Sequence, residues 1–209
     1  MALIRIWNAD PYSLAAIWKI EEPETFFEEA LTFSFPEISL PRRRLEKMAG
    51  RYLLRLLQED FPLSRIAADL EDKPRIDGNR FYFSISHSWP YVTAILNPQM
   101  ESGIDIQCWH PRIDQLQHKF LNLDEQYRIG PNPKDLHLAW SAKEAAYKWA
   151  GKRGLRFSED ILITSFEKRS KLYEITANVN RRDELITISV EGLIERDYSL
   201  AYIIYPPKI

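Results

Sequence analysis

Hydrophobic and polar positions change period several times along the chain, and those changes divide it into elements. Near the start, "LIRIW" alternates apolar and polar residues as a strand does. In "SLPRRRLEKMAGRYLLRLLQED", residues 39 to 60, Leu45, Met48, Ala49, Tyr52, Leu53, Leu56 and Leu57 recur at helical spacing, with Ser39 as a possible cap and Pro41 in the first turn. Segments 80 to 86 and 91 to 96 alternate again and are joined by the turn-like "HSWP", which puts His87 at a hairpin tip. "ESGIDIQCW", 101 to 109, reads as a short strand with Ile104 and Ile106 on one side and Asp105 and Gln107 on the other. Helical spacing returns near 113 to 128 and from 134 to 151. The tail alternates over 161 to 166, 171 to 177, 185 to 190 and 198 to 205, with turns expected to contain Asn178, Asn180 and Gly192.

This order does not repeat as βαβ units, so the expected fold class is α+β. A soft boundary at "NPQMES", 97 to 102, divides the chain into lobes 1–100 and 101–209 without detectable repetition between them. The 209 residues are 45% hydrophobic and 28% charged, which suits a chain with a good core. No run of ~18 apolar residues argues for a membrane span. The first residues lack the charged-then-apolar layout of a signal peptide, and a cytoplasmic setting is expected. Cys108 is the only cysteine, so neither an internal disulfide nor a cysteine-based metal cluster can form. A formal charge of −2 gives no whole-molecule steering toward nucleic acid, so any anion site must be local.

Two stretches place charge where a plain scaffold would not need it. In "WSAKEAAYK", residues 140 to 148, steps of about 100° put Ala142, Ala145, Ala146 and Trp149 on one face. Trp140, Lys143, Glu144, Tyr147 and Lys148 share the other, so a face expected to be solvated mixes aromatics with charge. On the helix near 41 to 57, Arg44, Lys47, Arg51 and Arg55 fall in one arc, with Arg42 and Arg43 at its start; this is either a solvated face or an anion site. Asp105 on a strand and Glu144 on a helix are the oxygen ligands that a hard cation such as Mg²⁺ takes.

The stretches "KPRI", "FSISHS", "GIDIQ" and "WSAKEAAYK" follow one another in the chain, and together these four pieces resemble the 4′-phosphopantetheinyl transferases of the larger, two-lobed type related to the surfactin-synthetase activating enzyme. Lys73 and Pro74 match the first. Phe83, Ser86, His87 and Ser88 match the second, with Ser84 where Asn is usual. Gly103 and Asp105 match the third, and Trp140, Lys143, Glu144, Ala145 and Lys148 match the fourth. The resemblance covers residues 73 to 148 and, more loosely, the basic helix before them.

It implies two similar α+β lobes related by a pseudo-two-fold axis, with coenzyme A in the cleft between them. It implies Mg²⁺-dependent attack by a serine hydroxyl of an apo acyl- or peptidyl-carrier protein on the β-phosphate of coenzyme A, releasing 3′,5′-ADP. Asp105 and Glu144 would then be metal ligands, and Lys148 would reach the phosphates. Trp140 and Tyr147 would shield the charges. Ser86 and His87 would grip phosphate oxygens, and Lys73 with a subset of Arg42, Arg44 and Arg51 would hold the 3′-phosphate end. Glu125 falls where related enzymes carry a glutamate proposed as general base, and a surface glutamate is the alternative. Gln107 stands where the third motif normally ends in Glu, so a metal would meet two carboxylates and at most an amide there.

A monomer without nucleic-acid or membrane partners is expected. Two rival functions stay open: a non-catalytic coenzyme A or carrier-protein binding module, and a Mg²⁺ nuclease built on Asp105, Glu144 and Lys148, which the acidic balance disfavours. Cys108 beside Trp109 reads as packing. His110, His118 and His137 lack compact metal-ligand spacing and read as polar surface or core residues.

Overall fold

The computed structural model describes residues 2–31, 39–76, 78, 81–181 and 184–204. The expected strand ends at 80 and 205 lie outside the described residues. The chain is α+β and divides into two compact units, 1–100 and 101–209.

In the first unit, the alternating start forms β1 (Leu3–Asn8), which pairs antiparallel with β2 (Leu14–Lys19). Two helices follow, α1 (Glu24–Leu31) and α2 (Pro41–Leu57), and then the small hairpin of β3 (Ile66–Ala68) and β4 (Pro74–Ile76). β5 (Tyr82–Ser88) and β6 (Tyr91–Asn97) complete an antiparallel sheet of order β1-β2-β6-β5. The hairpin is longer than the sequence suggested. Ser88 pairs with Tyr91 across Trp89 and Pro90, so His87 lies within β5, opposite Val92, and not at the tip.

Leu40, not Ser39, is the N-cap of α2, and it makes no side-chain cap bond. Pro41 opens the helix because its fixed φ suits the first turn and its missing N–H costs nothing there. Met48, Ala49, Leu53, Leu54 and Leu57 fill the core of this unit with Trp18, Phe27, Val92 and Ala94. The basic arc meets α1. Arg44 Nε lies 2.6 Å from Glu24 and its Nη2 lies 3.1 Å from Glu28. Arg55 donates to the carbonyls of Ala30 and Leu31 on α1.

The second unit begins with β7 (Ile104–Cys108). The helical region that follows is broken into α3 (Ile113–Leu116), a 3-10 turn and α4 (Leu123–Ile129), ahead of the long α5 (Pro133–Ala150) and the short α6 (Phe157–Asp160). Four strands close it: β8 (Ile161–Arg169), β9 (Leu172–Arg181), β10 (Glu184–Ile194) and β11 (Tyr198–Ile204), in the sheet order β7-β11-β10-β9-β8. Asn178, Asn180 and Gly192, expected in turns, lie inside β9 and β10. Thr187 donates to Asn178 Oδ1 across the pair, and a Cβ on Gly192 would stand 2.8 Å from Leu138 Cδ1. Gly192 is therefore where α5 presses closest on β10, a packing requirement that imitates a turn signal.

α4 closes the sheet's β8 edge. Glu125 Oε1 accepts from Ile163 N–H at 2.7 Å, and Arg128 donates to Ile163 O at 3.0 Å. These bonds satisfy edge groups that a bare strand would leave exposed. No helix among the described residues is long and apolar enough to cross a membrane.

Candidate functional site

Asp105 reaches its place because Gly103 precedes it. A Cβ at Gly103 would collide with the carbonyl oxygen of Ala145 and lie 2.9 Å from Trp149 Cβ, so only glycine lets this segment lie so close to α5. Gly103 O also accepts from Ile203 N–H at 2.9 Å, which fixes the entry to β7 against β11. Two residues on, the buried Asp105 accepts at Oδ1 from Lys148 Nζ at 2.7 Å. The same ammonium donates to Ile104 O at 3.3 Å. The Gly-x-Asp stretch and the last turn of α5 thus form one unit of structure.

Glu144 stands one turn before Lys148 on α5. Its carboxyl is pushed up to about 7, first by burial and then by the negative charge of Asp105, against the opposing pull of Lys148. A carboxyl made harder to ionise by a neighbouring carboxylate belongs to a donor set that a divalent cation would relieve. The chemistry here fits such a cation. Among the described residues no group of three or more His, Cys, Asp and Glu is placed to hold a metal; Gln107, the position that breaks the motif, supplies an amide instead. Its Nε2 lies 3.4 Å from Cys108 O.

Gln107 and Glu144 face a cavity of about 650 Å³ whose other walls include Ile113, Phe120, Trp140 and Phe157. These apolar walls are what the sequence left unseen, because α6 and the 3-10 turn cover a face of α5 that was expected to be open. Trp140 packs between Phe120 and Phe157, and Tyr147 packs on Phe157. The arrangement corrects the reading of Lys143 as part of an exposed wall. Its ammonium is wholly buried, 2.5 Å from Glu125 and bonded to the carbonyls of Phe157 and Ile161. Burial outweighs the attraction of Glu125 and brings it down to about 8.

Glu125 is equally enclosed. Besides Lys143 and Ile163 N–H, it accepts from Asn122 N–H at 2.9 Å as half of a capping box. Both of its oxygens are thus engaged in holding α4, α5 and β8 together. His137 is a core residue: its ring bonds Pro133 O through Nδ1, and Nε2 accepts from His110 N–H at 2.7 Å. His118 is exposed.

In the first unit, Ser86 is buried in β5, opposite Thr93. His87 Nδ1 lies 3.2 Å from Glu46 Oε2, and Arg42 Nε lies 3.1 Å from the other oxygen of the same carboxylate. Glu46 had no place in the sequence reading. Its position four residues after Arg42 was the available signal. Arg42 lies on the side of α2 toward β5, whereas Arg44 is committed to α1 and Arg51 is half-buried, with a guanidinium made less basic by desolvation. Lys73 leads into β4, and its N–H donates to Asp69 Oδ1 at 2.9 Å.

Comparison of the sequence with models of known protein families and with curated proteins found no match.

Proposed function

We propose that this chain transfers the 4′-phosphopantetheine group of coenzyme A to a serine of an apo acyl- or peptidyl-carrier protein. One observation carries the reading: half-buried Glu144, raised to about 7 by its surroundings and by Asp105, lines a largely apolar cavity one turn before Lys148, which is paired with Asp105. Phosphoryl chemistry needs charge neutralisation, a proton acceptor and shelter from water, and this wall offers groups suited to each.

Asp105 and Glu144 would hold a Mg²⁺ ion, which when bound supplies Lewis-acid neutralisation of the pyrophosphate. The serine Oγ forms a bond to the β-phosphorus as the bond to 3′,5′-ADP breaks. The serine proton passes to a carboxylate oxygen of Glu144. Lys148 offers its ammonium to the departing phosphate. Glu125, with both oxygens engaged inside the fold, orders α4 and α5 and leaves the proton to Glu144. Ser86, His87, Lys73 and Arg42 are the candidate ligands of the nucleotide end; Arg44 and Arg51 are less suited because of their internal pairing and burial.

Each unit lays one long helix on one antiparallel sheet, which supports reading the chain as two similar lobes. A cytoplasmic monomer acting on a soluble carrier is the setting this reading implies.

The test is intact-protein mass spectrometry of a panel of apo carrier proteins incubated with the protein, coenzyme A and Mg²⁺. A phosphopantetheine increment is expected on a carrier serine and should vanish in Asp105→Ala and Glu144→Ala. Full-rate transfer after EDTA treatment, or an unmodified panel, would overturn the reading.

A further inference from the structure

Glu46 is 4% exposed, a degree of burial that carboxylates reach only when paired. Its pairing is divided. Oε1 faces Arg42 Nε at 3.1 Å one turn earlier on α2, and Oε2 faces His87 Nδ1 at 3.2 Å on β5. The Arg42 guanidinium also lies 5.3 Å over the ring of Trp89, in the turn after β5. Arg42 remains largely exposed although its Nε is tied down, so its position is set while its outer edge meets solvent.

A carboxylate against Nδ1 orients an imidazole by accepting from that nitrogen, and when the ring is protonated Nε2 also donates and can meet an anion. Glu46, from α2, faces His87 Nδ1 and shares its carboxylate with Arg42; the cross-strand neighbour of His87, Val92, is not ionisable. When His87 is protonated, one carboxylate between two cations leaves one positive charge over, so the trio attracts a phosphate while each cation is held in place.

Resting on the transferase reading above, we propose that Glu46 is a positioning residue that sets Arg42 and His87 as a paired clamp for a phosphate group of coenzyme A. It acts through those two side chains and need not touch the ligand.

The experiment compares wild type, Glu46→Gln, Glu46→Ala, His87→Ala and the double variant Glu46→Gln/His87→Ala. Coenzyme A binding is followed by calorimetry between about pH 6 and 8, and His87 titration by ¹⁵N NMR. Glu46→Ala should weaken binding roughly ten- to hundredfold, the range expected for losing one charge-assisted contact, and the isosteric Glu46→Gln should fall between it and wild type. Glu46→Gln should move the His87 titration, and the pH at which affinity declines, about one pH unit lower. In the His87→Ala background the Gln substitution should cost less than it does alone.

Unchanged or tighter binding in both Glu46 variants would overturn the clamp, as would a His87 titration that Glu46→Gln does not move. Wild-type carrier modification separates the two failures: modification with indifferent Glu46 variants sinks the clamp alone, whereas no coenzyme A binding by wild type sinks both.

Discussion

Gly103 and Ala145 meet so closely that no Cβ fits between β7 and the carbonyl of α5. That contact brings Asp105 within 2.7 Å of Lys148. Gly103→Ala should therefore separate the two halves of the site as well as loosen the core. Because the obstacle is helix backbone and not a flexible side chain, we expect a cost of roughly 3 kcal/mol, at the upper end for overpacking. Urea unfolding checks the stability, and carrier modification checks the site. A variant as stable as wild type would show that the strand can shift without penalty.

Glu144 links function to stability through pH. Its carboxyl titrates near 4.5 when unfolded and at about 7 when folded. Between those values the folded state holds a proton that the unfolded chain has released, so stability present below about pH 4.5 is lost as pH rises through about 7. In metal-free protein, Glu144→Gln should be more stable than wild type by about 1–2 kcal/mol near pH 8, after allowance for partial exposure, and equal to it near pH 4. The same variant should lose transfer activity. Denaturant titrations at both pH values in EDTA check the sign; equal stability at the higher pH would mean that the carboxylate is not strained.

Lys143 and Glu125 test a different principle. Removing one member of a buried pair leaves the other as an uncompensated charge, so Lys143→Met should cost about 3–5 kcal/mol. Combining it with Glu125→Gln, which keeps an acceptor for the α4 cap, should recover part of that loss. Chemical denaturation of the two single variants and the double variant gives the coupling. A Lys143→Met protein within about 1 kcal/mol of wild type would remove the pair from the account of the fold.

The legible parts of this molecule were those set by local period. The helix at 41–57, the helix at 133–150 and the strand around Asp105 follow directly from spacing. Tertiary cover was not legible. Lys143 looks exposed by helical arithmetic, and only the placement of Phe157 and Ile161 against it shows why a cation is buried there. Gly192 and Asn178 carry turn chemistry by composition, yet one admits Leu138 and the other bonds Thr187. The basic arc of α2 was a single feature in sequence. α1 divides it, taking Arg44 and Arg55 into packing and leaving Arg42 with Glu46 and His87. The short α1 was missed because its apolar residues span barely two turns.

Gln107 offers the sharpest test of the cation site. It lies on the same side of β7 as Asp105, about 6.6 to 6.8 Å along the strand, and faces the cavity that Glu144 also lines. A neutral amide adds little attraction, so a Mg²⁺ ion there would depend mainly on Asp105, Glu144 and the oxygens of coenzyme A. Gln107→Ala should accordingly be milder than Asp105→Ala. Gln107→Glu adds a third carboxylate and should lower the Mg²⁺ concentration needed for half-maximal transfer, while chelation by EDTA should abolish transfer in every variant. Mg²⁺ titrations of the transfer rate at fixed coenzyme A and carrier protein measure this. If Gln107→Ala is as inactive as Asp105→Ala, the amide has an essential orienting role, and a site built on two carboxylates has to be given up.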